Sequence, residues 1–178
     1  MASLTPVQKK FILHWGEMGT RWGINRTVAQ IHSLLYLSPK PLHAEEIAET
    51  LGVARSNVSN SLRELQGWGI VRVTHQLGDR RDHFEAMKDV WEMFRIIVEQ
   101  RKRREIDPAL QMLRECIDEL KAGGGDAYTR ERVEEMLEFM TTMTGLYEET
   151  KAFSPGMLKG LAKLRGKIRI LGGGAKKK

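Results

Sequence analysis

The sequence has a single cysteine, Cys116. One thiol excludes a disulfide within the chain and any cysteine-based zinc cluster. No apolar run approaches the roughly 20 residues a membrane-spanning helix needs. The first ten residues, Met1 to Lys10, hold no apolar signal core. A soluble, cytoplasmic protein that spans no membrane is therefore expected. There is no internal repeat. No phosphate loop, nucleophile elbow, zinc motif or paired-carboxylate pattern stands out, so no catalytic residue and no enzymatic activity are expected. His75, Asp79, Asp82 and His83 lack convincing ligand spacing, and neither a metal nor a cofactor is expected.

What is present is ordinary for a globular chain of 178 residues: 41% hydrophobic and 29% charged. The net charge is +6, which suits an acidic partner, either nucleic acid or an anionic membrane surface. Its distribution is uneven. Residues 150–178 hold nine basic and no acidic side chains, leaving −3 on residues 1–149. A second concentration lies in residues 55–81, where five arginines face Glu64 and Asp79 for a net of +3.

Periodicity predicts a helix over 6–18, loosened by Gly16, Gly19 and Gly23, and a second over 25–37 capped by Asn25. Short helices follow at 44–51 and 55–66, separated by Gly52, with Gly67 stopping the second. Residues 70–75 alternate as a strand, 78–82 form a turn-rich loop, and 83–87 return antiparallel. Helices are expected over 88–104, 109–120 and 129–147, with Asp107-Pro108 as a new start or a kink. A last helix begins at Ser154-Pro155 and ends at Gly172-Gly173-Gly174, before a lysine tip expected to lack fixed structure.

Helix, tight turn, polar helix, hairpin is the order of a winged helix-turn-helix. The second of its helices has an unusual composition. Ser56, Asn57, Ser59, Asn60 and Ser61 are mediocre helix formers, because their side chains compete for backbone hydrogen bonds. Short polar side chains let a helix approach bases and phosphates closely. Asn pairs with adenine, and Arg with guanine or phosphate. Arg55, Ser56, Asn57, Ser59, Asn60 and Arg63 are therefore the candidate DNA contacts in the major groove. Arg80 and Arg81, at the tip of the 76–82 wing between Asp79 and Asp82, are candidates for the adjacent minor groove or backbone.

The chain resembles MarR-type winged-helix regulators, and within them the GbsR family. The resemblance rests on Trp22-Gly23-Ile24-Asn25-Arg26, Leu35-Tyr36-Leu37-Ser38, Ala44-Glu45-Glu46-Ile47-Ala48, the run Arg55 to Leu65, and Gly78-Asp79-Arg80-Arg81-Asp82. It covers about residues 10–100. One departure is Ala54, where such families often place a hydroxyl residue to cap the reading helix.

The resemblance implies a mainly α fold with a small β-hairpin wing. Residues 1–87 form the winged lobe, 88–171 the dimerisation helices, and 172–178 a flexible basic tail. It implies a homodimeric transcriptional regulator, a repressor by preference, reading a pseudo-palindromic operator. It also implies a small-molecule effector, for which Trp15, Trp22, Tyr36, Trp91 and Phe94 could form an aromatic site. Packing within the core is the alternative for those rings. For the whole chain, the alternative is a winged-helix scaffold that binds protein in a chromosome-organising complex. Such a module needs no basic wing.

Overall fold

The computed structural model describes residues 4–123, 125–151, 153, 156 and 157. The expected helix from Ser154-Pro155 and the lysine tip lie outside the described residues. The chain divides between Ile97 and Val98 into two compact units.

The first unit runs α1 (Pro6–Arg21), α2 (Arg26–Leu37), β1 (Leu42–His43), α3 (Ala44–Leu51), α4 (Arg55–Gly67), β2 (Val71–Gln76), β3 (Asp79–Ala86) and the start of α5 (Val90–Arg101). Local chemistry sets the helix starts. Thr5 and Gln8 exchange hydrogen bonds as a capping box, with Pro6 in the first turn. Asn25 Oδ1 accepts from Thr27 N–H at 2.8 Å. Gly52, at φ 64°, turns the chain between α3 and α4.

Gly16 and Gly19 do not loosen the chain. They lie inside α1 and let it pack closely on α2. A Cβ on Gly16 would meet Gln30 Cγ at 2.6 Å, and one on Gly19 would meet Ala29 Cβ at 2.5 Å. Gly67 likewise does not stop α4, which includes it. The reversal comes at Gly69, φ 78°, where Ile70 N–H returns to Leu65 C=O.

The apolar stripe of α2 (Val28, Ile31, Leu34, Leu35) is fully buried. It packs with Ile47 of α3, Val58, Leu62 and Leu65 of α4, and Ile70, Val71 and Phe84 beside the sheet. One core thus fixes α4 by its inner face and leaves the outer face for other work.

The sheet is antiparallel in the order β1-β3-β2. β1 is an element the alternation pattern could not reveal, because two residues carry no period. It pairs Leu42 with Phe84 and His43 with His83. The β2-β3 register places Val71 opposite Ala86 and Gln76 opposite Asp79, with an irregularity between Thr74 and Gln76. Residues 79–82 are therefore strand, not loop. The hairpin reverses at Leu77-Gly78, with Gly78 at φ 84°.

In the second unit the helix continues through a π-helical segment (Lys102–Ile106) into α6 (Asp107–Lys121). Asp107 does not cap, since the chain before it is already helical. Its carboxylate instead takes the Lys102 ammonium at 2.8 Å. α6 buries Leu110, Leu113, Ile117 and Leu120. α7 (Ala127–Lys151) is longer than its apolar stripe suggested and has no buried residue. Met136, Phe139, Met143 and Leu146 are each more than half exposed.

Candidate nucleic-acid interface

α4 divides its residues cleanly. Val58, Ser61, Leu62 and Leu65 face the core, while Arg55, Ser56, Asn57, Asn60 and Arg63 are exposed and Ser59 is half-buried. The six predicted α4 residues therefore lie away from the core face. Ser61, the remaining member of the Ser/Asn run, is a core residue. The backbone at Ala54 has the extended geometry of a cap, φ −61° and ψ 140°, but no side-chain hydrogen bond closes the helix start. The first N–H groups of α4 are left for water or an anion.

Arg55 is held at both ends of its guanidinium. Nε donates to Glu45 Oε1 at 2.8 Å and Nη1 donates to the Ser59 hydroxyl. The hydrogen bond from Arg55 is the largest cause that lowers the Glu45 carboxyl to a pKa of about 2. Arg63 Nη1 donates to Asn60 Oδ1 at 3.3 Å. Ser56 and Asn57 have no side-chain partner among the described residues, so their polar groups are available.

The wing separates its two arginines. The exposed tip is Leu77, and Arg80 and Arg81 follow as the second and third residues of β3. Successive strand residues point to opposite faces, so the pair cannot act as one patch. Arg80 is exposed and has no ion pair among the described residues. Arg81 forks onto Asp79, Nε to Oδ1 at 2.9 Å and Nη2 to Oδ2 at 2.5 Å. The guanidinium holds the Asp79 carboxyl well below the usual carboxylate range, and that hydrogen bond raises Arg81 in turn. Asp82 faces His75 at 3.8 Å instead.

Arg81 also reaches His43, Nη1 to Nε2 at 2.9 Å. His43 Nδ1 is 2.9 Å from Glu45 Oε2, and its ring stands at right angles to buried His83, centroids 5.6 Å apart. A cavity of about 280 Å³ opens between α4 and β3, lined by Arg55, Arg63 and Arg81 with Glu45 and Asp82, over Leu62 and Phe84. Three guanidiniums against two carboxylates make its rim cationic.

Sequence reasoning gave Glu45 no role beyond its place in a motif and did not single out His43. Both precede α4, and only the helix-turn-helix crossing and the β1–β3 pairing bring them to the arginines. Lys88 was missed for the same reason. Its ammonium donates to the carbonyls of Leu35, Tyr36 and Ser38 at 2.8–2.9 Å and so closes the end of α2. Burial, the larger cause, lowers its pKa.

The aromatic residues have structural contacts. Trp15 stacks on Phe11 at 5.4 Å and meets Trp22 edge-on at 6.0 Å. Tyr36 stacks with His32 at 6.4 Å and lies under the Lys88 ammonium at 5.7 Å. Trp91 is half-buried and Phe94 is 58% exposed on α5. Among the described residues there is no cluster of three or more His, Cys, Asp or Glu that could hold a metal, and no helix long and apolar enough to cross a membrane.

A three-strand wing behind two crossed helices is a shared architecture, and residues 22–82 match the model of the MarR family. The MarR-family match takes in α2, α3, α4 and the wing as far as Asp82. Two relatives come from Bacillus subtilis. A protein named as an HTH-type transcriptional regulator, YvaV, is 26% identical over 84 residues, which is 47% of this chain and 48% of YvaV. The HTH-type transcriptional repressor OpcR is 25% identical over 73 residues, 41% of this chain and 40% of OpcR. The chain thus spans less than half the length of these relatives. A crystal structure of a transcriptional regulator has the same fold, with a TM-score of 0.62 at 18% identity. That match covers 82% of this chain and 95% of the other.

Proposed function

We propose that the protein is a sequence-specific DNA-binding transcriptional regulator. One observation carries the reading: the exposed Arg/Ser/Asn face of α4 and the arginine strand of the wing border one cationic cleft. α4 enters the major groove, where Asn57 and Asn60 read base edges and Arg55 and Arg63 grip bases or phosphate. Arg80 and Arg81 lie along the backbone or the neighbouring minor groove.

The protein acts as a homodimer in this proposal. The exposed Met136, Phe139, Met143 and Leu146 of α7 are supplied as interface, and two-fold symmetry sets two α4 helices about one DNA turn apart, ~34–36 Å. Repression by covering a promoter fits the name of OpcR, and the motifs in residues 22–82 favour the GbsR branch of the family. A small aromatic-caged ligand at Trp15, Trp22, Tyr36, Trp91 and Phe94 would complete the regulator.

The test is selection from a random duplex pool by the whole chain, followed by footprinting. Enrichment of a two-fold repeat, with affinity falling steeply as salt rises, is the expected result. Asn57→Ala and Asn60→Ala should relax the preference, while deletion of 172–178 should weaken all duplexes alike. A pool that stays random, with a stoichiometric protein partner recovered instead, would refute the proposal in favour of a protein-binding scaffold.

A further inference from the structure

The arginine of the reading helix and that of the wing are joined by a continuous chain of polar contacts. It runs Arg55–Glu45–His43–Arg81–Asp79. His43 is its centre, and the chemistry of its partners fixes its protonation. A guanidinium has only donors, so Arg81 Nη1 at 2.9 Å requires an unprotonated, accepting Nε2. The neutral ring then carries its proton on Nδ1, where it donates to Glu45 Oε2 at 2.9 Å. The Glu46 N–H also points at Nδ1, at 3.4 Å, as half of the capping box at the start of α3, and the shorter contact to Glu45 decides the tautomer.

We propose that neutral His43 is the positioning residue that locks the wing to the reading helix, receiving Arg81 on one side of its ring and holding Glu45, and through it Arg55, on the other. The consequence for DNA rests on the proposed function above. The groups facing His43 are Glu45 and Glu46 from α3, Asp79, Arg81 and His83 from β3, and Arg55 of α4 through Glu45.

Glu46 Oε2 lies 3.4 Å from Nε2, a second partner of opposite sign to Arg81. The lock is confined to side chains, because the β1–β3 pairing and the shared core hold the wing on the lobe independently of His43.

Two independent readouts test this in the whole chain. The first is the His43 ring in long-range ¹H–¹⁵N spectra of the free protein near neutral pH. A neutral ring protonated on Nδ1 is expected, and a ring protonated on Nε2, alone or together with Nδ1, overturns the lock. The second is affinity for a labelled duplex selected by the protein from a random pool. Histidine-to-glutamine keeps a donor and an acceptor without a titratable ring, so H43Q should bind within about twofold of wild type near neutral pH.

H43A should lose about tenfold at neutral pH, the equivalent of one charge-assisted hydrogen bond. Wild-type affinity in H43A, or a tenfold loss in H43Q, overturns the proposal, and the ring tautomer decides it even if H43A fails to fold. If no duplex is selected, the DNA-binding reading has failed, and the ring tautomer still decides the lock.

Discussion

The uncapped start of α4 gives the most direct test of the structural reasoning. Ala54 already has the extended backbone a cap requires, so a serine there needs no backbone rearrangement. Its hydroxyl would accept from the N–H of Ser56 or Asn57, one of the helix's orphan donors. Hydroxyl caps are worth about 0.5–2 kcal/mol over alanine, so Ala54→Ser should stabilise the protein by about 1 kcal/mol. For a chain of this size that corresponds to a rise in melting temperature of roughly 2–4 °C.

Urea unfolding followed by circular dichroism, with calorimetry beside it, measures both. The midpoint should rise with an unchanged slope, since the surface exposed on unfolding is the same. Ala54→Val keeps the extended backbone but offers no acceptor, and should give no such gain. An unchanged or lower midpoint in Ala54→Ser, with a normal Ala54→Val, would refute the claim that these N–H groups lack a partner.

Three further outcomes follow from the packing. Gly19→Ala should cost about 1–3 kcal/mol in urea unfolding, because its Cβ would overlap Ala29 Cβ, which is tied to the α2 backbone. Lys88→Met keeps the apolar stem but frees three carbonyls at the end of α2. It should cost about 1–2 kcal/mol after discounting for the exposed part of the side chain, and hydrogen exchange should quicken there first. His32 is held neutral in the fold, its pKa lowered to about 4 by burial and, less, by Lys88. The unfolded chain takes up a proton near 6.5 and the folded one does not. Stability is therefore full above pH 6.5 and falls between there and about pH 4, by about 3 kcal/mol. In His32→Leu that part of the pH dependence should vanish, and a wild-type profile in this variant would assign the loss elsewhere.

The architecture was legible in the residues because it is built from local signals. The apolar period of α2, Gly52 between two short helices, and the alternation of Val71 and Val73 are each set within a few residues of chain, and each element formed where expected. The composition of α4 was equally legible, since Ser and Asn are out of place in a helix without a reason. The glycines misled. Gly16 and Gly19 read as flexible because a sequence shows the missing side chain and not the helix that fills its place. Residues 79–82 read as a loop because Gly, Asp and Arg are turn formers, yet pairing with β2 overrides that local preference. The two-residue strand β1 has no pattern at all.

What the tertiary structure alone decided is the environment of each arginine. Periodicity can place Arg55 and Arg81 on exposed positions, but it cannot supply Glu45 from another helix or His43 from a strand paired across the sheet. Those contacts join residues 10 and 38 positions apart. Charge and hydrogen bonding act through distance in space, and distance in space is set by the core that α2, α3, α4 and the sheet bury together.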